Sequence, residues 1–294
     1  MLMKIKKYLI ISADDFGLTE GINLSVIDLF KEGVLTSTSV MANGSAFKNA
    51  MECLEKVSGL GVGVHLNILR GQPILPIDQV KSLVDHQGLF RGVHQNVVKL
   101  LLGDINLKEV KKEFRAQINK VLKQNVRVTH LDTEKHLHIF PSILKVIIEL
   151  AVEFDINRIR FFRQGLNLFA NGQCLEELIL SCREKFLSSV SSTNYGYLSA
   201  NNIKYPDFFN LVSSRLRKKQ LLMVFQRVIH KIRSGVSEII CHPGYIHDGL
   251  RHCSREFRKF NIINHWDQTG LLMSYKTKEI IKASGVRLIN YSQF

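Results

Sequence analysis

The sequence predicts an α/β protein built on a parallel sheet or barrel. Apolar, β-branched runs at residues 7–13, 36–41 and 61–66 alternate with segments of helical periodicity in the first third of the chain. The 294 residues match the size that α/β barrels reach as one unit, and a hydrophobic content of 45% is enough for a sizeable core. Polar residues follow several of the predicted strands, which is where such barrels place their active sites.

The remaining elements follow from local patterns. Thr19 precedes apolar residues at helical spacing with Gly33 at the helix end, and Pro141 opens another amphipathic segment. Further helices are predicted over 46–56, 107–123, 142–154, 175–186, 208–216, 220–233 and 269–283, and further strands over 126–132, 158–163, 238–241 and 286–290. Loops are predicted over 70–107, with a short helix inside, and over 188–202. No repeat or linker divides the chain, so we expect one domain over residues 1–294.

Composition narrows the function classes. The net charge of +14, from 40 Lys+Arg against 26 Asp+Glu, favours anionic ligands or surfaces. The charge is dispersed and lacks interleaved aromatic residues, so we expect no nucleic-acid partner. Five cysteines without a CxxC pair indicate reduced thiols in a cytoplasmic protein. No apolar run has the length of a transmembrane helix, and the N-terminal apolar run is too short for a signal peptide.

The stretch at residues 129–141 is unusually rich in titratable side chains. They fall at every second position: His130, Asp132, Glu134, His136 and His138. On an extended strand all five would point the same way. Imidazoles and carboxylates bind metals and move protons. A simpler interpretation is a solvated edge strand that happens to be rich in histidine.

Other polar residues stand at the ends of predicted strands. Asp14 and Asp15 follow the first strand, His65 ends the third, and His242 follows a late one. Each alone has a structural explanation, such as a cap, a turn or a partly buried histidine. Together they predict a metal-dependent hydrolase, because a catalytic zinc-type site needs about three protein ligands and an open position for water.

Five segments, in chain order, resemble the YdjC-like carbohydrate deacetylases, a family that includes the chitooligosaccharide and hopanoid-associated deacetylases. They are residues 13–18 (ADDFGL), 36–38 (TST), 61–65 (GVGVH), 129–141 and 241–244 (CHPG). The resemblance runs from residue 10 to about residue 258 and includes an Arg-Glu pair at 255–256 and a weaker match at 205–209 (YPDFF). It implies a distorted (β/α) TIM-like barrel that removes an acetyl group from an N-acetylated sugar, either an oligosaccharide or a lipid-linked sugar.

The resemblance also implies one divalent metal ion, Mg²⁺, Mn²⁺ or Zn²⁺, held by Asp15, His65 and a third residue. The family pattern is His-x-Asp-x-His-x-His-x-His, and Glu134 stands where the middle histidine falls. We favour Glu134 as the third ligand, because His136 would need a shift of about 7 Å along an extended strand. An oxygen ligand would move the preference towards Mg²⁺ or Mn²⁺. If Glu134 is not the ligand, then either His136 takes its place or the site no longer binds metal.

The remaining roles are assigned by chemistry and position. Asp14 is the expected general base and His242 the general acid, with His138 a second candidate for the acid or a sugar-binding residue. The residues expected to orient ligands or to line the substrate pocket are His130, Asp132, His136, Arg70 and Tyr245.

Different functions are compatible with the same residues. One is a metal-dependent phosphoesterase, although two-metal sites need more ligands than the sequence supplies. Another is a non-catalytic sugar-binding relative, in which Glu134 marks lost catalysis. Nucleic-acid binding is the weakest of these hypotheses. The resemblance also implies a homodimer, which no residue pattern decides.

Overall fold

The computed structural model describes residues 6–161, 194–211, 218–245 and 262–294. Within them, one sheet of parallel strands has the order β4-β3-β2-β1-β6-β5, and β7 pairs with the first residues of β1. The strands are β1 (Lys7–Phe16), β2 (Ser37–Val40), β3 (Gly61–Leu66), β4 (Val128–Thr133), β5 (Phe208–Leu211), β6 (Gly235–Cys241) and β7 (Arg287–Leu288). The alternation of strands and helices predicted for the first third is confirmed.

Helices connect most of these strands. They are α1 (Glu20–Lys31), α2 (Phe47–Leu54), α3 (Val93–Leu102), α4 (Leu107–Leu122), α5 (Pro141–Glu153), α6 (Tyr195–Ala200), α7 (Lys218–Lys231), α8 (Ile262–Met273) and α9 (Tyr275–Ala283). Thr19 caps α1 by accepting a hydrogen bond from the Ile22 amide, and Pro141 occupies the first turn of α5, as predicted. In the described part of the chain, no helix combines the length and the hydropathy needed to span a bilayer.

The sheet curls into a half-barrel. Beyond β4, isolated parallel bridges join Leu131 to Ile159 and Arg158 to Lys204, where the sequence predicts a regular strand. Four residues later, at Phe208, the chain is already on β5 at the opposite edge. Four residues span at most about 14 Å, whereas the edges of a flat sheet of this width would lie roughly 30 Å apart. The predicted α/β fold with a distorted TIM-like barrel is therefore confirmed.

The core lies between the sheet and its helices. Helix α4 shows the pattern: Val110, Phe114, Ile118 and Val121 are fully buried at helical spacing, while lysines occupy the other face. Burying each of these side chains contributes about 1.5–3 kcal/mol relative to exposure. The helix ends at Leu122, one residue before the predicted end.

Three local predictions are wrong. Residues 208–211 form β5, not a helix, because pairing with β6 overrides the local helical spacing. The helix predicted over 269–283 is two helices, broken at Ser274, whose extended backbone and side chain cap the second one. The loop predicted over 188–202 contains α6. The helix predicted over 175–186 and the Arg-Glu pair at 255–256 lie outside the described residues.

The predicted alternation along residues 129–141 also fails beyond Thr133. Strand β4 ends there, and Glu134–Ile139 forms a 3-10 turn. Lys135 and His136 have φ of 51° and 60°, in the left-handed region that side chains rarely adopt. The five side chains therefore do not share one strand face. Because the backbone leaves the extended conformation after Thr133, Glu134 and His136 are not separated by the expected step of about 7 Å along a strand.

Candidate active site

A bulge in β1 brings two adjacent carboxylates to one end of the sheet. Between the pairs Ala13–Thr38 and Phe16–Val40, β1 has two residues where β2 has one. Such an extra residue breaks the alternation of side chains. Asp15 takes a φ of 67°, a strained conformation for a residue with a side chain. Asp14 and Asp15 are both buried, and both lie beside His65 in groups that could hold a metal ion.

The Asp14 carboxylate forms a salt bridge with Arg160. Its two oxygens each lie 2.9 Å from a terminal nitrogen of that guanidinium, which makes a bidentate pair. Ser39 Oγ donates a further hydrogen bond of 3.3 Å to Oδ1. The Nε2 atom of His242 lies 4.0 Å from Oδ2. The orientation of Asp14 is thus fixed by its partners, and His242 Nε2 lies just beyond hydrogen-bond distance of its carboxylate.

Arg160 is the centre of a fully buried ionic network that the sequence did not reveal. Besides Asp14 it pairs with Asp132, and its Nε donates to Glu238 Oε1 at 3.0 Å. Burial would raise the pKa of Asp132, but the Arg160 guanidinium and then His65 together outweigh it and hold that pKa well below its usual range. The sequence offered one indication: Arg160 and Glu238 stand within segments predicted as strands, and a charge that such a strand buries needs a partner.

Asp15 has the opposite environment. Both carboxylate oxygens are buried, and neither has a hydrogen-bond donor among the residues that the structure describes. Burial, and then the charge of Glu134, raise the pKa of Asp15 to about 7. An unpaired buried carboxylate costs free energy. A bound cation would supply the partner that the Asp15 oxygens lack in the described structure.

His65 is oriented by carboxylates on both ring nitrogens. Its Nδ1 lies 2.9 Å from Asp132 Oδ1, and its Nε2 lies 3.2 Å from Glu134 Oε2. Burial opposes protonation of the ring, but Asp132, and then Asp14, raise the pKa of His65 well above its usual value of 6.5. A carboxylate behind Nδ1 is the common support for a histidine that binds metal through Nε2.

Glu134 uses its two oxygens differently. Oε2 faces His65, while Oε1 lies 3.2 Å from Arg70 Nε and 3.3 Å from Lys135 Nζ. Burial would raise the pKa of Glu134, but Lys135, and after it His65, hold the pKa well below the usual 4.5. Glu134 therefore remains an anion, with Oε2 directed into the cluster.

Among the described residues, two groups of side chains have the spacing of a metal site. Asp15, His65 and Glu134 offer ligand atoms that all lie within 4.8 Å of one another, and so do Asp14, His65 and Asp132. In the second group both carboxylates already bind the Arg160 cation, which would repel a metal ion. The first group fits a divalent cation better, because the Asp15 oxygens have no competing donor in the described chain.

The other histidines of the central stretch are buried in different places. His130 stacks on Tyr291 with ring centroids 3.7 Å apart, and burial lowers its pKa to about 3. His138 is fully buried with Nδ1 2.8 Å from Thr133 Oγ1, and burial lowers its pKa to about 3 as well. His136, which is 6% exposed, packs edge-on against Phe209.

Of the two predicted site residues that follow β6, only His242 lies near Asp14. The backbone of His242 donates to Gln268 Oε1 at 2.7 Å, which directs the loop, and burial lowers the pKa of the ring to about 4. Tyr245 lies apart from the carboxylates: its hydroxyl donates to Asp28 on α1 at 3.0 Å. The structure thus brings His242, but not the Tyr245 hydroxyl, next to Asp14.

A curled parallel sheet with a buried carboxylate–histidine cluster at one end defines an α/β barrel protein with a candidate metal centre. Comparison with known proteins gives the family. The model of the YdjC-like protein family matches residues 8–283. The chain belongs to this family, so the resemblance seen in its motifs is confirmed.

Several relatives are named carbohydrate deacetylase. One from Thermoanaerobacter pseudethanolicus is 28% identical over 287 residues, which cover 97% of this chain and 98% of the relative. One from Clostridium beijerinckii is 31% identical over 238 residues, covering 81% and 82% of the two chains. A crystal structure from Enterococcus faecalis, named "putative cellobiose-phosphate cleavage protein", is 28% identical, with a TM-score of 0.72 and coverage of 97% and 98%.

Proposed function

We propose that the protein is a metal-dependent deacetylase that hydrolyses the acetamide of an N-acetylated sugar. One observation carries the proposal: adjacent Asp14 and Asp15 have complementary environments, the first held by Arg160 and the second with two buried oxygens that lack donors in the described structure. A metal-dependent hydrolase uses a general base and a set of metal ligands, and a carboxylate pair of this kind supplies one of each. The relatives named carbohydrate deacetylase support the choice of substrate.

Asp15, His65 and Glu134 would hold the cation. When bound, a divalent metal polarises a carbonyl oxygen and makes a nearby water more acidic. Two carboxylates and one imidazole form a harder donor set than one rich in histidine, so we expect Mg²⁺ or Mn²⁺ to be accepted as well as Zn²⁺. Asp132, behind His65 Nδ1, keeps Nε2 aimed at the other two ligands.

Asp14 acts as the general base. The Arg160 fork at 2.9 Å fixes the plane of its carboxylate, and Ser39 fixes one oxygen further. A base held in one orientation loses little entropy when it accepts a proton. In the reaction, the water oxygen adds to the acetyl carbon and its proton passes to Asp14.

His242 carries that proton to the leaving group. With a pKa of about 4 the ring is neutral at rest, so it can accept the proton from Asp14, whose Oδ2 is 4.0 Å from Nε2. Once protonated, His242 is a strong acid and gives the proton to the sugar nitrogen as the C–N bond breaks. The products are acetate and a sugar with a free amine.

The test is acetate release from N-acetylglucosamine oligosaccharides and from lipid-linked N-acetyl sugars, with added Mg²⁺, Mn²⁺ or Zn²⁺. We expect activity that chelation abolishes and that Asp15→Ala and His65→Ala each remove, because each takes away one ligand. Asp78→Ala and His86→Ala change the same residue types at exposed positions and should keep wild-type activity.

Three results would count against the proposal. Activity that survives both ligand variants would remove the metal-site assignment. Phosphate release from sugar phosphates without acetate release would identify a phosphoesterase. Sugar binding by a protein that elemental analysis finds free of metal would identify a non-catalytic binding protein.

A further inference from the structure

The last turn of the described chain inserts a tyrosine into the barrel. Tyr291 begins a 3-10 turn, Tyr291–Gln293, which Asn290 and Gln293 close with reciprocal capping hydrogen bonds. Its side chain is fully buried although the turn lies at the surface. The hydroxyl therefore needs a buried partner.

That partner connects the turn to Asp14. The Tyr291 hydroxyl donates to Glu238 Oε2 at 2.7 Å, and the other oxygen of Glu238 accepts from Arg160 Nε at 3.0 Å. Arg160 in turn holds both oxygens of Asp14 at 2.9 Å. Every side chain in this path is at most 3% exposed. Two residues, Glu238 and Arg160, thus separate the tyrosine from the proposed base.

The ring of Tyr291 is held as firmly as its hydroxyl. His130 stacks on it at 3.7 Å with an angle of 8° between the planes. Gly63 lies against His130: a Cβ at that position would be only 2.5 Å from the imidazole. The glycine therefore leaves room for the histidine that stacks on the tyrosine.

Charge balance explains why the hydroxyl matters. One guanidinium, that of Arg160, serves three buried carboxylates, those of Asp14, Asp132 and Glu238. The hydrogen bond from Tyr291 satisfies one oxygen of Glu238, which leaves Arg160 to share less of its charge with that side. Without the hydroxyl, Oε2 of Glu238 would lose its hydrogen bond, so Glu238 and the Arg160 guanidinium bonded to it would shift from the positions that hold Asp14.

We propose that Tyr291 and Glu238 are positioning residues of the hydrolytic site, which set the orientation of Arg160 and through it the orientation of Asp14. The inference rests on the proposed function of Asp14 as general base. It gives the Tyr291 side chain, but not the rest of its turn, a part in catalysis, although that side chain does not touch the reacting atoms.

The test uses Tyr291→Phe, which removes the hydroxyl and keeps the ring stacked on His130. We expect kcat for acetate release to fall about tenfold, the effect typical of groups that support an active-site residue, with KM within about twofold of wild type. Asn290→Ala is the control, because it weakens the same turn without touching Glu238. It should lower the melting temperature and leave kcat unchanged.

A double-mutant cycle with Glu238→Gln separates positioning from general damage. If Tyr291 acts through Glu238, then Tyr291→Phe should lose most of its effect on kcat in the Glu238→Gln background. Full kcat in Tyr291→Phe, additive effects in the cycle, or an equal loss of kcat in Asn290→Ala would overturn the inference while the wild type remains active. A wild type that releases no acetate would instead overturn the proposed function, and this inference with it.

Discussion

Asp14 and Asp15 are neighbours in the chain and identical in chemistry, yet they lie in opposite surroundings. Asp14 has a guanidinium fork and a serine hydroxyl on its oxygens. Asp15, one peptide further, has buried oxygens without a donor in the part of the chain that the structure describes, and its pKa rises to about 7. A single bulge thus places two adjacent residues of the same type in different environments.

The same division extends to the residues around the pair. On the Asp14 side, Arg160 brings positive charge into the interior and the network is closed on itself. On the Asp15 side, Arg70 and Lys135 lie beside Oε1 of Glu134, and His65 lies beside Oε2. The Asp15 oxygens, which have no hydrogen-bond partner in the described structure, suit the proposed cation.

Substitution of each aspartate is the most direct test of their different roles. Asp14→Asn should lower kcat by about 10²–10⁴-fold, the usual cost of losing a general base. Asp15→Asn removes a proposed metal ligand and should lower kcat to a similar extent. Only Asp15→Asn should also lose the bound metal, because Asp14 is occupied by Arg160. Metal content by elemental analysis, measured beside the rate, distinguishes the two. Equal metal loss in both variants would contradict the division of roles.

Removing the cation of the closed network tests its structural weight. Arg160→Met leaves three buried carboxylates without their partner and should lower the free energy of unfolding by about 3–5 kcal/mol. Arg158→Met is the matched control: this half-buried arginine bonds two C-terminal carbonyls and should cost about 1 kcal/mol. Chemical denaturation measures both, and equal losses would show that Arg160 is no more central than its neighbour.

The third ligand is tested on the other side. Glu134→Gln should weaken Mn²⁺ binding, measured by calorimetry, by at least about tenfold, since supporting residues alone have effects of that size. Arg70→Gln keeps the ligand oxygen in place and should change the affinity less. Unchanged affinity in Glu134→Gln together with a loss in His136→Ala would move the third ligand to His136.

A further expected effect concerns the pH dependence of stability. Burial raises the pKa of Glu238 to about 7 from an ordinary 4.5. The folded protein therefore keeps a proton that the unfolded chain releases, so this residue makes folding less favourable as the pH rises from about 4.5 to 7. The unfolding free energy of wild type minus that of Glu238→Gln should fall across this window. The exposed variant Glu149→Gln should show no such slope.

The sequence was sufficient where function follows strand ends. Strand β1, the buried face of α4 and the approach of Asp15, His65 and Glu134 all follow from local pattern and the parallel topology. It was insufficient where one backbone step changes direction. The bulge at Asp14 and the left-handed pair at Lys135 and His136 depend on tertiary contacts, which no side-chain pattern encodes.

Arg160, Glu238 and Tyr291 were missed for a different reason. Each lies far from the others in sequence, and each alone resembles an ordinary residue of a strand or turn. Their joint meaning appears only when the barrel brings three distant segments to one point. A rule that every charge inside an apolar strand needs a partner would have identified Arg160 and Glu238, but not the tyrosine.

The sheet order has a consequence for folding of the nascent chain on the ribosome. Strand β1 is made first, yet one of its edges is filled by β6, with Lys7 opposite Gly235. Until β6 has been synthesised, this edge of the apolar strand β1 has unpaired amide and carbonyl groups, which can form hydrogen bonds with another chain. Nascent chains truncated before residue 235 should accordingly depend on chaperones, whereas the complete sheet closes that edge.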